Sequence, residues 1–254
     1  MEPAVLTAEE VGRILTVTLS RPPANAINRE WVERFTAIAA SLERRADITV
    51  LRIRSDQRMF CGGADLGVMR DCFATSDGPD AMIETVRRLQ LLYARIEALP
   101  QVTVAEIGGA AMGGGLELAL ACDLRVAATT AKLGLPEVRL GLLPGAGGTQ
   151  RLTRLAGRAI AERIILGTEV VDGTQALALG LVQWAIAPER LEAWTTELAS
   201  RLAELPAAAL AASKRCIARA ALPGDGGFEM ELGETRKLLD APETRRRVAA
   251  FLAR

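Results

Sequence analysis

The sequence predicts an α/β fold built from repeated strand-strand-helix units and closed by an all-helical C-terminal region. Three observations lead there. Short β-branched or apolar runs alternate with amphipathic stretches up to about residue 190. Glycine runs sit where a strand hands over to a helix. Beyond Pro188 only helical periodicity remains. The division that follows is an α/β core over residues 1–190 and a helical region over 191–254.

In order, Arg13 to Leu19 (RILTVTL) alternates as a strand, and the two prolines of RPPANAIN stop it because they cannot continue a ladder. Asn28 then reads as the N-cap of a helix over Trp31 to Leu42, whose apolar residues recur at helical spacing. A strand over Ile48 to Ile53 follows. FCGGADL, Phe60 to Leu66, reads as a glycine turn leading into an exposed loop around Thr75 to Asp80. Ala81 to Ala98 is a patterned helix ended by Pro100, and Val102 to Ile107 is a strand. After Gly113 to Gly115 come a short apolar helix, Leu116 to Ala121, and a strand, Leu124 to Ala128. The segment LLPGAGGTQRL, Leu142 to Leu152, opens another helix; Asp172 caps the one carrying Ala176 to Leu179, and Val182 to Ile186 is the last strand. Helices over Leu191 to Leu202, Ala207 to Ala220, Gly227 to Leu239 and Glu243 to Leu252 complete the chain.

Composition removes whole classes of chemistry. The 254 residues are 50% hydrophobic and 24% charged, values of an ordinary globular protein, which excludes disorder and disulfide-built miniature folds. Histidine is absent, so Ser-His-Asp and Cys-His nucleophiles, histidine zinc sites and imidazole shuttles are all excluded. Protons must be moved by carboxylates, lysine, cysteine or Tyr93. Lys and Arg total 31 against 31 Asp and Glu, so no global field attracts nucleic acid or an anionic membrane, and an anionic substrate must be gripped locally. Cys61, Cys72, Cys122 and Cys216 form no CxxC pair, and buried small hydrophobes in a reducing compartment are their default reading. With no signal or transit pattern at MEPAVLTAEE and no apolar span of membrane length, a cytoplasmic location is expected.

Two glutamates stand out. Glu117 lies in GGGLELALAC, where a carboxylate is either paired or functional, because burying an unpaired charge is costly; the bland alternative is a first-turn glutamate favoured by the helix dipole. Glu137, in KLGLPEVRLGLLPG, is either a surface residue paired with Arg139 or a second active carboxylate, since the intervening helix, strand and turn return the chain to nearly the same end of the sheet. Gly113 to Gly115 suits either tight strand-to-helix packing or a backbone N–H offered to a developing oxyanion at a helix N-terminus. FCGGADL is a turn, or a second such donor. Neither GxGxxG nor GxxxxGK occurs here, so nucleotide-phosphate cradles are unsupported.

Taken together, FCGGADL, AEIGGAAMGGGLELALACDLRVA and KLGLPEVRLGLLPGAGGTQRLTRLAG, in that order and spacing, resemble the enoyl-CoA hydratase/isomerase family, the crotonase superfamily. The resemblance runs from RPPANAIN through VDGTQALALGLVQWAIAPERL to the closing RRRVAAFLAR. It implies a crotonase-like spiral with a C-terminal helical oligomerisation region forming trimers or pairs of trimers. It also implies an oxyanion hole from the backbone N–H groups of Ala64 and Gly114, catalytic Glu117 and Glu137, and a thioester site bordered by Cys61, Ala64, Asp65, Leu66, Gly67 and Gly114. The implied reaction is syn addition of water to a trans-2-enoyl-CoA. No metal or other cofactor is expected, because coenzyme A arrives as part of the acyl-CoA substrate. Other superfamily chemistry, such as Δ3,Δ2-enoyl-CoA isomerisation, is the nearest alternative. A noncatalytic CoA- or RNA-binding role is the remote one, with Arg245 to Arg247 the only feature favouring nucleic acid. Gly67 stands where the family often has a basic residue, and the C-terminal motif lacks the usual lysine.

Overall fold

A computed structural model describes residues 4–221, 224 and 226–253; the first three residues and Arg254, which ends the C-terminal motif, lie outside them. The strands are β1 (Leu6–Val11), β2 (Ile14–Leu19), β3 (Val50–Ser55), β4 (Met59–Cys61), β5 (Val102–Ile107), β6 (Ala110–Met112), β7 (Leu124–Ala128), β8 (Lys132–Gly134), β9 (Val171–Asp172) and β10 (Trp184–Ile186). The helices are α1 (Arg29–Leu42), α2 (Leu66–Phe73), α3 (Gly78–Ala98), α4 (Gly114–Leu120), α5 (Gly148–Ala156), α6 (Arg158–Ile165), α7 (Gly173–Ala178), α8 (Leu191–Ala203), α9 (Ala207–Ala220), α10 (Gly226–Asp240) and α11 (Pro242–Leu252).

The repeat seen in the sequence is a spiral. β3, β5 and β7 each lay a strand into one sheet, ordered β1-β2-β3-β5-β7-β10, and the strand after each joins a second sheet, ordered β4-β6-β8-β9. Both sheets are parallel along the repeat and antiparallel only at one edge, where β1 pairs β2 and β9 pairs β8. The apolar face of α1 buries Trp31, Val32, Phe35, Ala39 and Leu42, and Asn28 caps it by accepting from Trp31 N at 2.9 Å. β5 is buried on both faces, as a central parallel strand should be.

Several elements differ from expectation. β1 was not foreseen because LTAEEV exposes five of its six residues; the hairpin pairing to β2, turned by Gly12 at φ +59°, holds it. Phe60 and Cys61 are strand rather than turn, Leu66 opens a helix, and α3 begins at Gly78, inside the expected loop. β10 is shorter than expected and α6 is additional.

The change of pattern near residue 190 marks the end of the strands and not the end of the core. α8 packs across the large sheet with Leu191, Thr195, Leu198, Ala199 and Ala203 buried. α9 is stapled to the sheet through Lys214 Nζ, which reaches Asp123 at 2.7 Å and the Gln101 carbonyl at 3.1 Å. Of the four C-terminal helices, only α10 and α11 bury no residue among those described. Arg247 is engaged by Glu243 at 3.1 Å and by the Glu204 carbonyl at 2.8 Å. No described helix is long and apolar enough to cross a membrane.

Candidate active site

The carboxyl ends of three adjacent parallel strands, β4, β6 and β8, deliver the key residues side by side. Gly62 to Ala64 follow β4, Gly113 and Gly114 follow β6, and Pro136 and Glu137 follow β8. The space beyond carboxyl strand ends is where open α/β sheets place ligands. Sequence reasoning expected the chain to return to this end through a turn; it returns through β8, a strand of three residues.

The first segment is braced by RPPANAIN. Asn25, fully buried at φ +50°, accepts from Arg21 N at 2.8 Å and donates to Ser55 Oγ at 2.7 Å and the Phe60 carbonyl at 3.0 Å. Ile27 forms an isolated parallel bridge with Ala64: its N–H bonds the Gly63 carbonyl at 2.8 Å, and its carbonyl accepts from Asp65 N at 3.0 Å. Extended backbone alternates the direction of its N–H groups, so the Ala64 N–H faces away from Ile27. On that side lies Gly114, where a Cβ would stand 3.9 Å from Ala64 N and only 3.0 Å from Ile27 Cδ1. Gly63, at φ +90°, packs as tightly: a side chain there would meet the Met112 carbonyl at 2.9 Å. As the first residue of α4, Gly114 has an N–H without an intrahelical acceptor, at the positive end of the helix dipole. The two donors named from the sequence are therefore neighbours.

Glu117 is nearly buried, at 3% exposure, in the first turn of α4. Its Oε1 accepts from Gly148 N, the first residue of α5, at 2.7 Å. Gly148 must be glycine for this approach, since a Cβ would lie 2.9 Å from that oxygen. Burial pushes the Glu117 carboxyl up to about 7; the Gly148 N–H works against the rise, and the nearby Glu137 carboxylate adds to it. Both readings of Glu117 hold in part: it lies in a first turn, and it is buried and paired with a backbone donor.

Glu137 opens a short 3-10 turn, Glu137–Leu140, and is half-buried. The expected surface pair with Arg139 does not form, because that guanidinium reaches the Thr168 carbonyl at 3.1 Å. Burial raises the Glu137 carboxyl, and its Oε2 is buried with no hydrogen-bond partner among the described residues. The carboxyl sits against the N-terminus of α4: a Cβ on Gly113 would be 3.0 Å from Glu137 Oε1.

The remaining expected site residues divide. Asp65 is a structural residue in its side chain: it caps α2 by accepting from Gly67 N at 2.9 Å and is tied to Arg21 at 2.7 Å, which holds its carboxyl below the usual range. The Cys61 thiol is fully buried, donates to the Asn25 carbonyl at 3.1 Å and is pushed up to about 12 by burial, so only its backbone can border a ligand. Leu66 is 60% exposed at the start of α2, beside Gly67. Residues that sequence reasoning did not single out are Asn25, Gly148 and Arg151, whose guanidinium joins Glu97 at 2.9 Å and the Ala146 carbonyl at 3.1 Å. Their only sequence signals are the RPPANAIN and PGAGGTQR motifs. No cluster of three metal-ligating residues occurs among the described residues.

The arrangement brings two backbone N–H groups close together, with two carboxyls of raised affinity for protons on the same segments. Residues 9–252 match the family model described as enoyl-CoA hydratase/isomerase. The chain is 36% identical over 241 residues, 94% of its length and 78% of the relative's, to the probable enoyl-CoA hydratase 2, mitochondrial, of Arabidopsis thaliana. It is 32% identical over 217 residues to the short-chain-enoyl-CoA hydratase of Clostridium acetobutylicum, covering 83% of this chain and 80% of that one. A solved enoyl-CoA hydratase of Geobacillus kaustophilus superposes with a TM-score of 0.93 at 30% identity, over 100% of this chain and 95% of the other. The chain belongs to the enoyl-CoA hydratase/isomerase family, with the crotonase fold.

Proposed function

We propose that this protein is a hydro-lyase, an enoyl-CoA hydratase that adds water syn across a trans-2-enoyl-CoA to give the 3-hydroxyacyl-CoA. The observation that carries the proposal is the convergence of Glu117 and Glu137 on the strand ends that also present the Ala64 and Gly114 N–H groups.

In this mechanism the thioester carbonyl oxygen lies between the two N–H groups. Glu117, ionised, takes a proton from a water molecule as the hydroxide oxygen bonds to the β-carbon. The electron pair of the double bond moves toward the carbonyl, and the resulting enolate oxygen is held by the two donors, the kind of preorganised electrostatic stabilisation that usually dominates acyl chemistry. Glu137, protonated, then gives its proton to the α-carbon. With both carboxyls serving one face of the double bond, the addition is syn. A base brought near neutrality and a second carboxyl whose affinity for protons burial raises suit general acid-base catalysis near neutral pH.

The reaction as written needs no metal or redox group. The acyl chain would run along α2 and the start of α3, where Val68, Phe73 and Ile83 are exposed. Exposed Phe228, Leu232, Phe251 and Leu252 on α10 and α11 favour self-association, as a trimer or a pair of trimers, through those helices. Four cysteines without a disulfide fit a reducing, cytoplasmic setting. The test is a panel of trans-2-enoyl-CoA thioesters of increasing length, with 3-enoyl-CoA substrates beside them. Hydration of at least one 2-enoyl-CoA supports the proposal; migration of the double bond without hydration replaces it with an isomerase.

A further inference from the structure

The helix α3 contributes no group to the reacting atoms, yet one stripe of it touches both the start of α4 and the segment that supports Glu117. Gln90, Tyr93 and Glu97 stand at i, i+3 and i+7, one face of a helix. Gln90 Nε2 donates to the Gly145 carbonyl at 2.6 Å. Glu97 holds Arg151 at 2.9 Å, which in turn donates to the Ala146 carbonyl. These contacts fix the segment whose next residues supply the Gly148 N–H to Glu117. Between them, the fully buried Tyr93 donates its hydroxyl to the Gly114 carbonyl at 2.8 Å.

Resting on the hydratase reading above, we propose that Tyr93 is a positioning residue for the oxyanion hole: its hydroxyl fixes the Gly114–Gly115 peptide at the start of α4, and through the shared Gly114 Cα steadies the adjoining peptide whose N–H is aimed at the thioester oxygen. The need arises from glycine itself. Gly114 has no Cβ to restrict it, follows Gly113 at φ +52°, and begins a helix of only seven residues. Within the helix the peptide bearing the Gly114 N–H is held by Glu117 N–H on the Gly113 carbonyl at 2.9 Å, and the next peptide is held from outside the helix by Tyr93. Tyr93 does so from the middle of a 21-residue helix, with its ring buried among core residues. The same turn carries Glu117 three residues on, so one hydrogen bond registers donor and base together. A carbonyl that already accepts within the helix does not require a second donor for stability, and a hydroxyl brought to it from another helix is better explained by aim.

The test uses two probes of the oxygen site. In Tyr93→Phe, kcat for crotonyl-CoA should fall about tenfold with KM changed less than about twofold, as expected when a hydrogen bond felt mainly in the transition state is lost. Difference infrared spectra of bound [1-13C]acetyl-CoA should show a lowered carbonyl stretch in the wild type and a smaller lowering in the variant. A variant with normal kcat and an unchanged carbonyl shift, even if it melts earlier, overturns the role of Tyr93 and leaves the hydratase reading standing. A wild type with no carbonyl shift overturns the oxyanion hole and the positioning role with it. Tyr93 is the only tyrosine in the chain, so 3-fluorotyrosine labelling gives a single 19F resonance without removing the hydroxyl. That resonance should move when acetyl-CoA is added, and a resonance that stays fixed at saturation contradicts the coupling.

Discussion

Replacing Gly148 by alanine perturbs the base without touching it covalently. The new Cβ would stand 2.9 Å from Glu117 Oε1, 3.1 Å from its Cγ and 2.7 Å from Pro144 Cβ, against the 3.4 Å at which ordinary contact begins. The carboxyl is the softer neighbour and must retreat by about 0.5 Å (3.4 − 2.9), which lengthens the 2.7 Å bond from Gly148 N. A hydrogen bond to a charged acceptor contributes roughly 1.5–3 kcal/mol, and a misplacement near 1 Å costs about a hundredfold in rate. We therefore expect kcat for crotonyl-CoA hydration to fall about 10- to 100-fold. The sign of the pH effect follows from the same bond: Gly148 N–H favours the ionised form of Glu117, so weakening it raises the carboxyl further above about 7. The acidic limb of the kcat/KM profile should move upward by about half a unit to one unit. Rates measured across the neutral range, with a melting curve to confirm folding, decide the matter. A folded variant with wild-type kcat and an unmoved acidic limb would refute the placement of Glu117.

Other outcomes follow from the same contacts. Wild-type kcat/KM should rise with pH through about 7, because the base must be ionised, and Glu117→Gln should abolish that limb. The raised affinity of Glu117 for a proton favours the folded state below its unfolded value of 4.5, and this advantage is lost as pH rises through about 7, so Glu117→Gln should be more stable than wild type at pH 8 by roughly 1–3 kcal/mol and little different at pH 4. Denaturant curves at the two pH values that show an equal difference would be at odds with this. Asn25→Ala removes bonds to Arg21 N, Ser55 Oγ and the Phe60 carbonyl from a buried site and should cost about 2–4 kcal/mol in urea unfolding, together with activity, because it releases the segment bearing Ala64. A thiol reagent should titrate Cys72 and Cys216 in the native protein and reach Cys61 and Cys122, both buried and pushed up to about 12, only after unfolding.

What the sequence makes legible is what depends on local pattern. GGGLE announces a helix start with a carboxylate in its first turn, and α4 is there with Glu117 buried. The Asn28 and Asp172 caps are visible because capping is a contact within three residues. The second sheet is not legible: β6 and β8 have three residues each, too few to display a period of two. Helix α2 escapes notice because LGVMRDCF buries none of its residues and so shows no apolar stripe, while Asp65 hides its capping role inside a motif taken as a ligand site. Glu137 next to Arg139 looks like a surface pair until the chain direction sends the arginine to Thr168. Gly148, Asn25 and Tyr93 matter through partners 31, 35 and 21 residues away, contacts that only the closed spiral brings together.

On the proposed mechanism, two carboxylates and two backbone N–H groups suffice to hydrate an enoyl thioester in a chain without histidine. Turnover of crotonyl-CoA in H218O, followed by mass spectrometry for wild type, Glu117→Gln and Glu137→Gln, tests it most directly. The wild type should yield 3-hydroxybutyryl-CoA carrying one 18O, and each variant should lose on the order of a thousandfold or more in rate, as general acid-base roles of this size imply. Hydration that survives either substitution, or a wild type inert toward every 2-enoyl-CoA offered, would contradict the account.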